Sequence, residues 1–179
     1  MTYSNKLTAH YLELAKIPIN EGNFAGNDVR YSNEYEVLEN ELGKATALHE
    51  TAAIDWQKVR ENSEILLSAH SKDLRVAAWL IWGLYQRESF PGLQAGFSLL
   101  HYLCLNHWAE LHPRKPRTRA AAISWLIPRL EQALAEHVPI GEQLALFRSL
   151  AEQLRALEAC LAEQLGEDAP LLLPLCRRL

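Results

Sequence analysis

Cysteine is scarce: Cys104, Cys160 and Cys176 are the only three in 179 residues, widely separated and without a Cys-x-x-Cys pair. That pattern argues against a structural zinc and fits a reducing compartment. Also missing is any run near the roughly 20 uninterrupted apolar residues of a membrane span. The opening Met1-Thr2-Tyr3-Ser4-Asn5-Lys6 lacks the basic segment and long apolar stretch of a signal peptide. The expectation is a soluble, cytoplasmic chain with no direct membrane insertion. Eight glycines and eight prolines are few, whereas Leu, Ala, Glu and Gln are plentiful, a balance that suits helices far better than β-structure. A net charge of −4 and a sequence pI near 6.0 give no global attraction to nucleic acid or an anionic membrane. The partners expected are proteins.

What is present is helical periodicity. The chain reads as one all-α domain over 1–179: a leading helix in 1–20, a body in 21–137 and C-terminal helices in 138–179. An antiparallel bundle of about seven to eight helices, loosely solenoid-like in its successive pairs, is the architecture this implies. A first helix from about Asn5 to Lys16 is stopped by Pro18. Ile19–Tyr31, with Gly22, Gly26 and three asparagines, is the least regular stretch. Ser32 opens a second helix to about Leu48, with Tyr35, Leu38, Leu42 and Ala45 facing inward. Asp55 caps a third, whose inner positions are Trp56, Val59, Ile65 and Leu66. A fourth runs from about Lys72 to Arg87, and Pro91 sits in the first turn of a fifth that reaches about Leu111.

The sixth helix, about Thr118 to His137, carries Pro128 and should bend or divide near Leu126. The seventh, about Ile140 to Leu165, has a seam of Leu144, Phe147, Leu150, Leu154, Leu157, Leu161 and Leu165 and a stop at Gly166. That seam is expected to pack on the sixth helix, with a homo-oligomer contact as the alternative. Asp168 and Pro170 start a short final helix.

The stretch Ser68-Ala69-His70-Ser71-Lys72-Asp73-Leu74-Arg75-Val76-Ala77-Ala78-Trp79-Leu80 joins a polar helix start to an almost wholly apolar helix. Ser71 reads as the cap and Asp73 as a first-turn acid that complements the macrodipole. From Leu74 onward no polar face remains, so this helix is expected to be surrounded by others.

Catalytic patterns do not emerge. His101, His107 and His112 are six and five residues apart, off the shared face that an i, i+4 metal pair occupies, and there is no His-Glu-x-x-His. His70, Ser71 and Asp73 have the residue types of a hydrolase triad, but neighbours at a helix start cannot form a relay among themselves, and no Gly-x-Ser-x-Gly elbow occurs. No catalytic, metal or cofactor site is expected. Two charged segments stand outside the core pattern. Arg114, Lys115, Arg117 and Arg119 form the one dense basic patch, read as a solvated connector, as a docking site for an acidic protein surface or, least of all on a net-acidic chain, as a phosphate contact to nucleic acid. Asp28 and Arg30 either pin the Gly26 loop or contact a partner. The tryptophans Trp56, Trp79, Trp82, Trp108 and Trp125 all fall within helical patterns, which favours core packing over exposed anchors.

An ordered set of short pieces carries a resemblance. Gly26-Asn27-Asp28-Val29-Arg30 is followed by Tyr35 and Leu38, Asp55-Trp56 and Val59, the Ser71–Leu80 stretch, Gly92-Leu93, Gly96-Phe97, Leu99-Leu100, and Trp108 with His112-Pro113. From about Gly22 to Leu126 the sequence resembles the ImpA-related N-terminal domain, found at the front of TssA-type proteins of the bacterial type VI secretion system and their TagA- and VasJ-like relatives. The ending Leu165–Pro170 also fits. The resemblance implies a cytoplasmic, non-enzymatic scaffold without cofactors that helps assemble, prime or cap the contractile tail, with baseplate, tail-tube or sheath components as partners. It gives structural roles to Gly26, Asp55, Trp56, Ser71, Asp73, Leu74, Arg75, Trp79, Leu80, Gly92, Trp108 and Pro113. Such proteins usually continue into a ring-forming C-terminal region. The chain is expected to be either an isolated N-terminal domain or a short relative, so ring formation is not carried over. A small helical hydrolase or metal-dependent enzyme is the alternative reading, and a nucleic-acid-binding regulator a second.

Overall fold

Residues 3–45, 53–136 and 143–179 are described by a computed structural model. Among them the regular elements are helical: α1 (Tyr3–Lys16), α2 (Asn33–Gly43), α3 (Trp56–Ala69), α4 (Leu74–His107), α5 (Pro116–Ser124), α6 (Ile127–Ala135), α7 (Leu144–Leu165) and α8 (Leu173–Cys176). Single 3-10 turns cover Trp108–Glu110 and Gly166–Asp168. The all-α expectation holds.

The centre of the molecule is α4, which is two antiparallel arms. Ser89, at φ 58° and ψ −144°, breaks it, and beyond the break the chain folds back so that Gly92 lies on Leu84 and Gly96 on Ile81. These are the separate fourth and fifth helices that Pro91 suggested. The fifth stops at His107, short of Leu111, and tightens into the 3-10 turn. Leu74, Val76, Ala77, Leu80, Ile81 and Leu84 of the first arm are all at most 1% exposed, as expected of a helix with no polar face.

Against α4 pack α1, α3 and α7. Tyr11 of α1 is fully buried, and its hydroxyl lies between Glu64 and Arg60 of α3. From there Arg60 Nη1 reaches Glu88 Oε1 of α4 at 3.1 Å. In α3 the buried positions are Val59, Ser63, Leu66 and Leu67, spaced for a single helical face. Ile65 falls off that face and is 51% exposed, which corrects its inward assignment. In α7, Phe147, Leu150, Leu154, Leu157, Leu161 and Leu165 are buried and the principal partner is the second arm of α4, not α6. Phe147 meets Phe90 with ring centroids 4.9 Å apart, and Gln153 Nε2 donates to Ser98 Oγ at 2.9 Å. The seam is thus covered within the chain, apart from Leu144, which is 46% exposed.

Local signals placed the boundaries well. Ser32 caps α2 by accepting from the Tyr35 amide, and Asp55 caps α3 by accepting from that of Lys58. Gly166 ends α7 at φ 58°. The sixth helix divides at Trp125–Leu126, with Pro128 in the first turn of α6. Three expected extensions are corrected: α2 ends at Gly43, with Lys44 and the exposed Ala45 in a turn, short of Leu48; α6 ends at Ala135, with Glu136 already extended, short of His137; and α7 starts at Leu144 after a non-helical Gln143, later than Ile140. The short last helix begins at Leu173 rather than at Asp168 or Pro170. Residues 46–52 and 137–142 lie outside the described residues.

Candidate functional site

Three loops meet where the two arms of α4 begin and end. Lys72 N donates to Ala25 O at 2.8 Å, His112 N to Lys72 O at 3.1 Å, and Leu74 N to His112 O at 2.7 Å. The His112 ring closes the knot, its Nε2 lying 2.9 Å from Gly26 O. Gly26 adopts φ 69°, and a Cβ there would stand 2.2 Å from His70 O, so any side chain is excluded. Gly26, Ser71, Asp73 and Pro113, far apart in sequence, therefore come together for a structural reason.

Asp73, fully buried, is the α4 cap: its Oδ1 accepts from the Arg75 amide at 2.8 Å and the Val76 amide at 3.4 Å. Its Oδ2 takes Arg75 Nη2 at 2.7 Å. Ser71 does not cap. It lies two residues upstream in the paired segment, and its buried Oγ makes no hydrogen bond. Between them Lys72 is 1% exposed, with Nζ donating to Leu14 O at 2.8 Å and Leu67 O at 2.7 Å and lying 5.6 Å from the Phe24 ring. Burial without a carboxylate partner pushes its ammonium down to about 8.

The basic patch separates into two environments. Arg114, Lys115 and Arg117 are exposed, and Arg114 Nη1 donates to Ala109 O at 3.0 Å, as a connector facing the preceding carbonyls should. Arg119 is 5% exposed and points inward, which removes it from the docking candidates. It donates to Pro113 O at 2.6 Å, Trp108 O at 2.7 Å and Leu111 O at 2.5 Å, with its guanidinium 4.7 Å from the Trp108 ring centroid. Desolvation lowers its pKa from the ordinary guanidinium value. Nothing in the local sequence distinguishes it from Arg117.

The Asp28–Arg30 pair is also rearranged. Asp28 Oδ1 accepts the Arg30 backbone amide at 3.0 Å, but its ionic partner is Arg75 Nη2 at 3.4 Å. The Arg30 guanidinium instead lies 5.7 Å from the ring of Tyr31, which is 90% exposed. Pinning of this loop runs through Asp28 and Arg75 to Asp73.

Among the tryptophans, Trp82 is buried and Trp56, Trp79, Trp108 and Trp125 are partly exposed. Trp79 and Trp125 line a cleft of about 260 Å³ between α4 and α5, together with Arg75, Thr118, Ala121 and Ala122. Sequence reasoning missed this cleft, because its α5 wall is built of alanines and a threonine that carry no recognisable chemistry. Their spacing at 118, 121, 122 and 125 marks a single helical face.

Among the described residues no group of three or more His, Cys, Asp and Glu could hold a metal, and no helix is long and apolar enough to cross a membrane. His107 stacks on Phe24 at 3.5 Å, away from the His112 contact with Gly26. The three cysteines are buried, and burial pushes each thiol up.

Comparison with known proteins supplies the relationship. No curated protein sequence matches the chain significantly. A solved structure, the N-terminal domain of the TssA component of the type VI secretion system from Burkholderia cenocepacia, is similar at a TM-score of 0.75 with 24% identity, over 93% of this chain and 87% of that one. At that identity the likeness establishes the fold. A family model for the ImpA N-terminal region of the type VI secretion system matches residues 17–128, the span that holds the three-loop knot, both arms of α4 and the Trp79–Trp125 cleft. The chain therefore belongs to the ImpA N-terminal, type VI secretion system family.

Proposed function

We propose that this chain is a non-enzymatic docking scaffold of a type VI secretion apparatus, working in the cytoplasm and helping to assemble, prime or cap the contractile tail through baseplate, tail-tube or sheath components. The observation that carries the reading is the family match over 17–128. The similar Burkholderia domain, a part of the TssA component, supports the same setting.

The polar residues of the knot fit a scaffold better than a catalyst. Asp73 is committed to the α4 cap and to Arg75, and His112 Nε2 to Gly26 O. Ser71, the one hydroxyl of the knot, is fully buried, whereas a hydrolase needs its nucleophile within reach of substrate. A nucleic-acid regulator needs a continuous cationic face, whereas Arg119 turns inward and leaves Arg114, Lys115 and Arg117 as a short exposed group. Docking through those residues, or through Asp28 and Arg30, remains part of this proposal; self-association through the α7 seam loses its support because the seam is buried in the chain.

Affinity capture tests the reading. The tagged chain, cross-linked in cells with an assembled secretion apparatus, should recover baseplate, tube or sheath proteins well above an unrelated tagged helical domain. Recovery at the control level contradicts it.

A further inference from the structure

The segment from His112 to Leu130 contains Arg114, Lys115, Arg117, Arg119 and Arg129 and not one Asp or Glu, in a chain whose net charge is −4. Arg114, Lys115, Arg117 and Arg129 have no carboxylate within ion-pair distance among the described residues. Arg75, across the cleft, differs: Asp73 and Asp28 already neutralise it. Cations without a carboxylate partner therefore stand on α5 and α6, the elements on the Trp125 side of the cleft, as Arg117 and Arg129.

Their placement relative to the cleft is specific. On α5, Arg117 sits one helical turn before Ala121, an exposed wall residue. On α6, the Arg129 guanidinium lies 3.6 Å from the Trp125 ring centroid and donates one N–H to Trp125 O at 2.7 Å. Since a guanidinium has five donors, it holds the indole wall and keeps donors for a ligand. The opposite wall is fixed too, with Tyr35 and Trp79 ring centroids 5.1 Å apart. Two indoles, each held by a neighbouring side chain, form a preorganised apolar slot, and tryptophan is among the residue types enriched at binding hot spots.

An occupant must match both features. A cleft of about 260 Å³ walled by two indoles and two alanines has room for the tip of a protein side chain. A polyphosphate backbone would satisfy the arginines but leave the indoles uncovered, and an aliphatic peptide would do the reverse. We propose that the Trp79–Trp125 cleft receives an acidic segment of a partner protein, one bulky apolar side chain entering between the indoles while flanking carboxylates meet Arg117 and Arg129. This rests on the docking reading above and gives it a surface and a partner chemistry.

A library of random twelve-residue peptides displayed on phage, selected on the full chain, tests the proposal. Selection is repeated on Ala121→Arg, which blocks the slot from an exposed position, and circular dichroism melting checks that this variant folds. The expected winners place Leu, Ile, Phe, Met or Trp between Asp or Glu residues and are lost on the blocked variant. A synthetic copy of the leading peptide should bind Arg117→Glu at least tenfold more weakly, and its Glu→Gln, Asp→Asn form should lose a similar factor. Failure to enrich any peptide, winners without acidic flanks, or equal binding to the blocked or charge-reversed chain overturns the proposal. These outcomes do not depend on secretion proteins. Capture of tail components by a chain that selects no such peptide leaves the scaffold reading standing and removes the cleft; peptide binding without such capture does the opposite.

Discussion

Arg119 donates from Nη2 to the carbonyl oxygen of Leu111 at 2.5 Å, tying the start of α5 to the chain leaving α4. Two further carbonyls, of Trp108 and Pro113, complete the cradle. Hydrogen bonds to charged groups contribute about 1.5–3 kcal/mol each, and truncation here strands buried acceptors. Arg119→Ala should therefore lower unfolding stability by about 2–4 kcal/mol, while Arg117→Ala stays within about 0.5 kcal/mol. Paired denaturant melts check this, and equal small losses would refute it.

Gly92 is fixed by the fold-back of α4. A Cβ at this position would stand 2.2 Å from the carbonyl oxygen of Leu84, which is backbone and cannot step aside without opening the two arms. Gly92→Ala should cost about 1–3 kcal/mol despite its better helix propensity. A Cβ at Gly43 meets nothing within 4 Å, so Gly43→Ala should be neutral or slightly stabilising. Thermal melts of the two variants decide the matter; similar melting temperatures would argue against a close approach of the arms.

Lys72 makes stability depend on alkaline pH. Burial pushes its pKa from 10.5 down to about 8, so between those values the unfolded chain binds a proton that the folded chain has released. Stability from this group therefore rises with pH across that window. The buried cysteines and Tyr11 and Tyr35, whose values are raised, act in the opposite direction at the alkaline end. The Lys72→Met variant separates the two effects: wild-type stability minus that of the variant should increase from pH 7 to pH 10. A pH-independent difference would show that Lys72 is not desolvated.

Asp73 takes the capping role that the order of the sequence suggests for Ser71. Asp73→Ala removes the cap bonds of α4 and the partner of Arg75, at a cost of about 2–4 kcal/mol. Ser71→Ala removes a hydroxyl that makes no hydrogen bond and should change stability by less than about 1 kcal/mol. The reverse ranking in urea melts would restore Ser71 as the cap.

Which features were legible follows from their range. Pro18, Ser32, Asp55, Pro91, Pro128 and Gly166 act on their own turn of chain, so the sequence placed the element ends near them correctly. Ser71 was misread because Ser71 and Lys72 are held extended by Gly26, Ala25 and His112, contacts at long sequence separation. Arg119 was misread for the same reason: its cradle exists once 108–113 turns back over α5. Trp79 lies on a helix with no polar face, yet is partly exposed because α5 leaves a cleft beside it. The family was legible because its motif residues are short and ordered along the chain, whereas the cleft depends on how α4 meets α5.

The most direct test of the scaffold account is location in the living cell. A fluorescent fusion of the chain, imaged with a labelled sheath protein in cells that fire the apparatus, should form foci that coincide with assembling or extended sheaths and become diffuse when the baseplate is deleted. Fluorescence that stays uniform while sheaths assemble normally beside it would contradict the account.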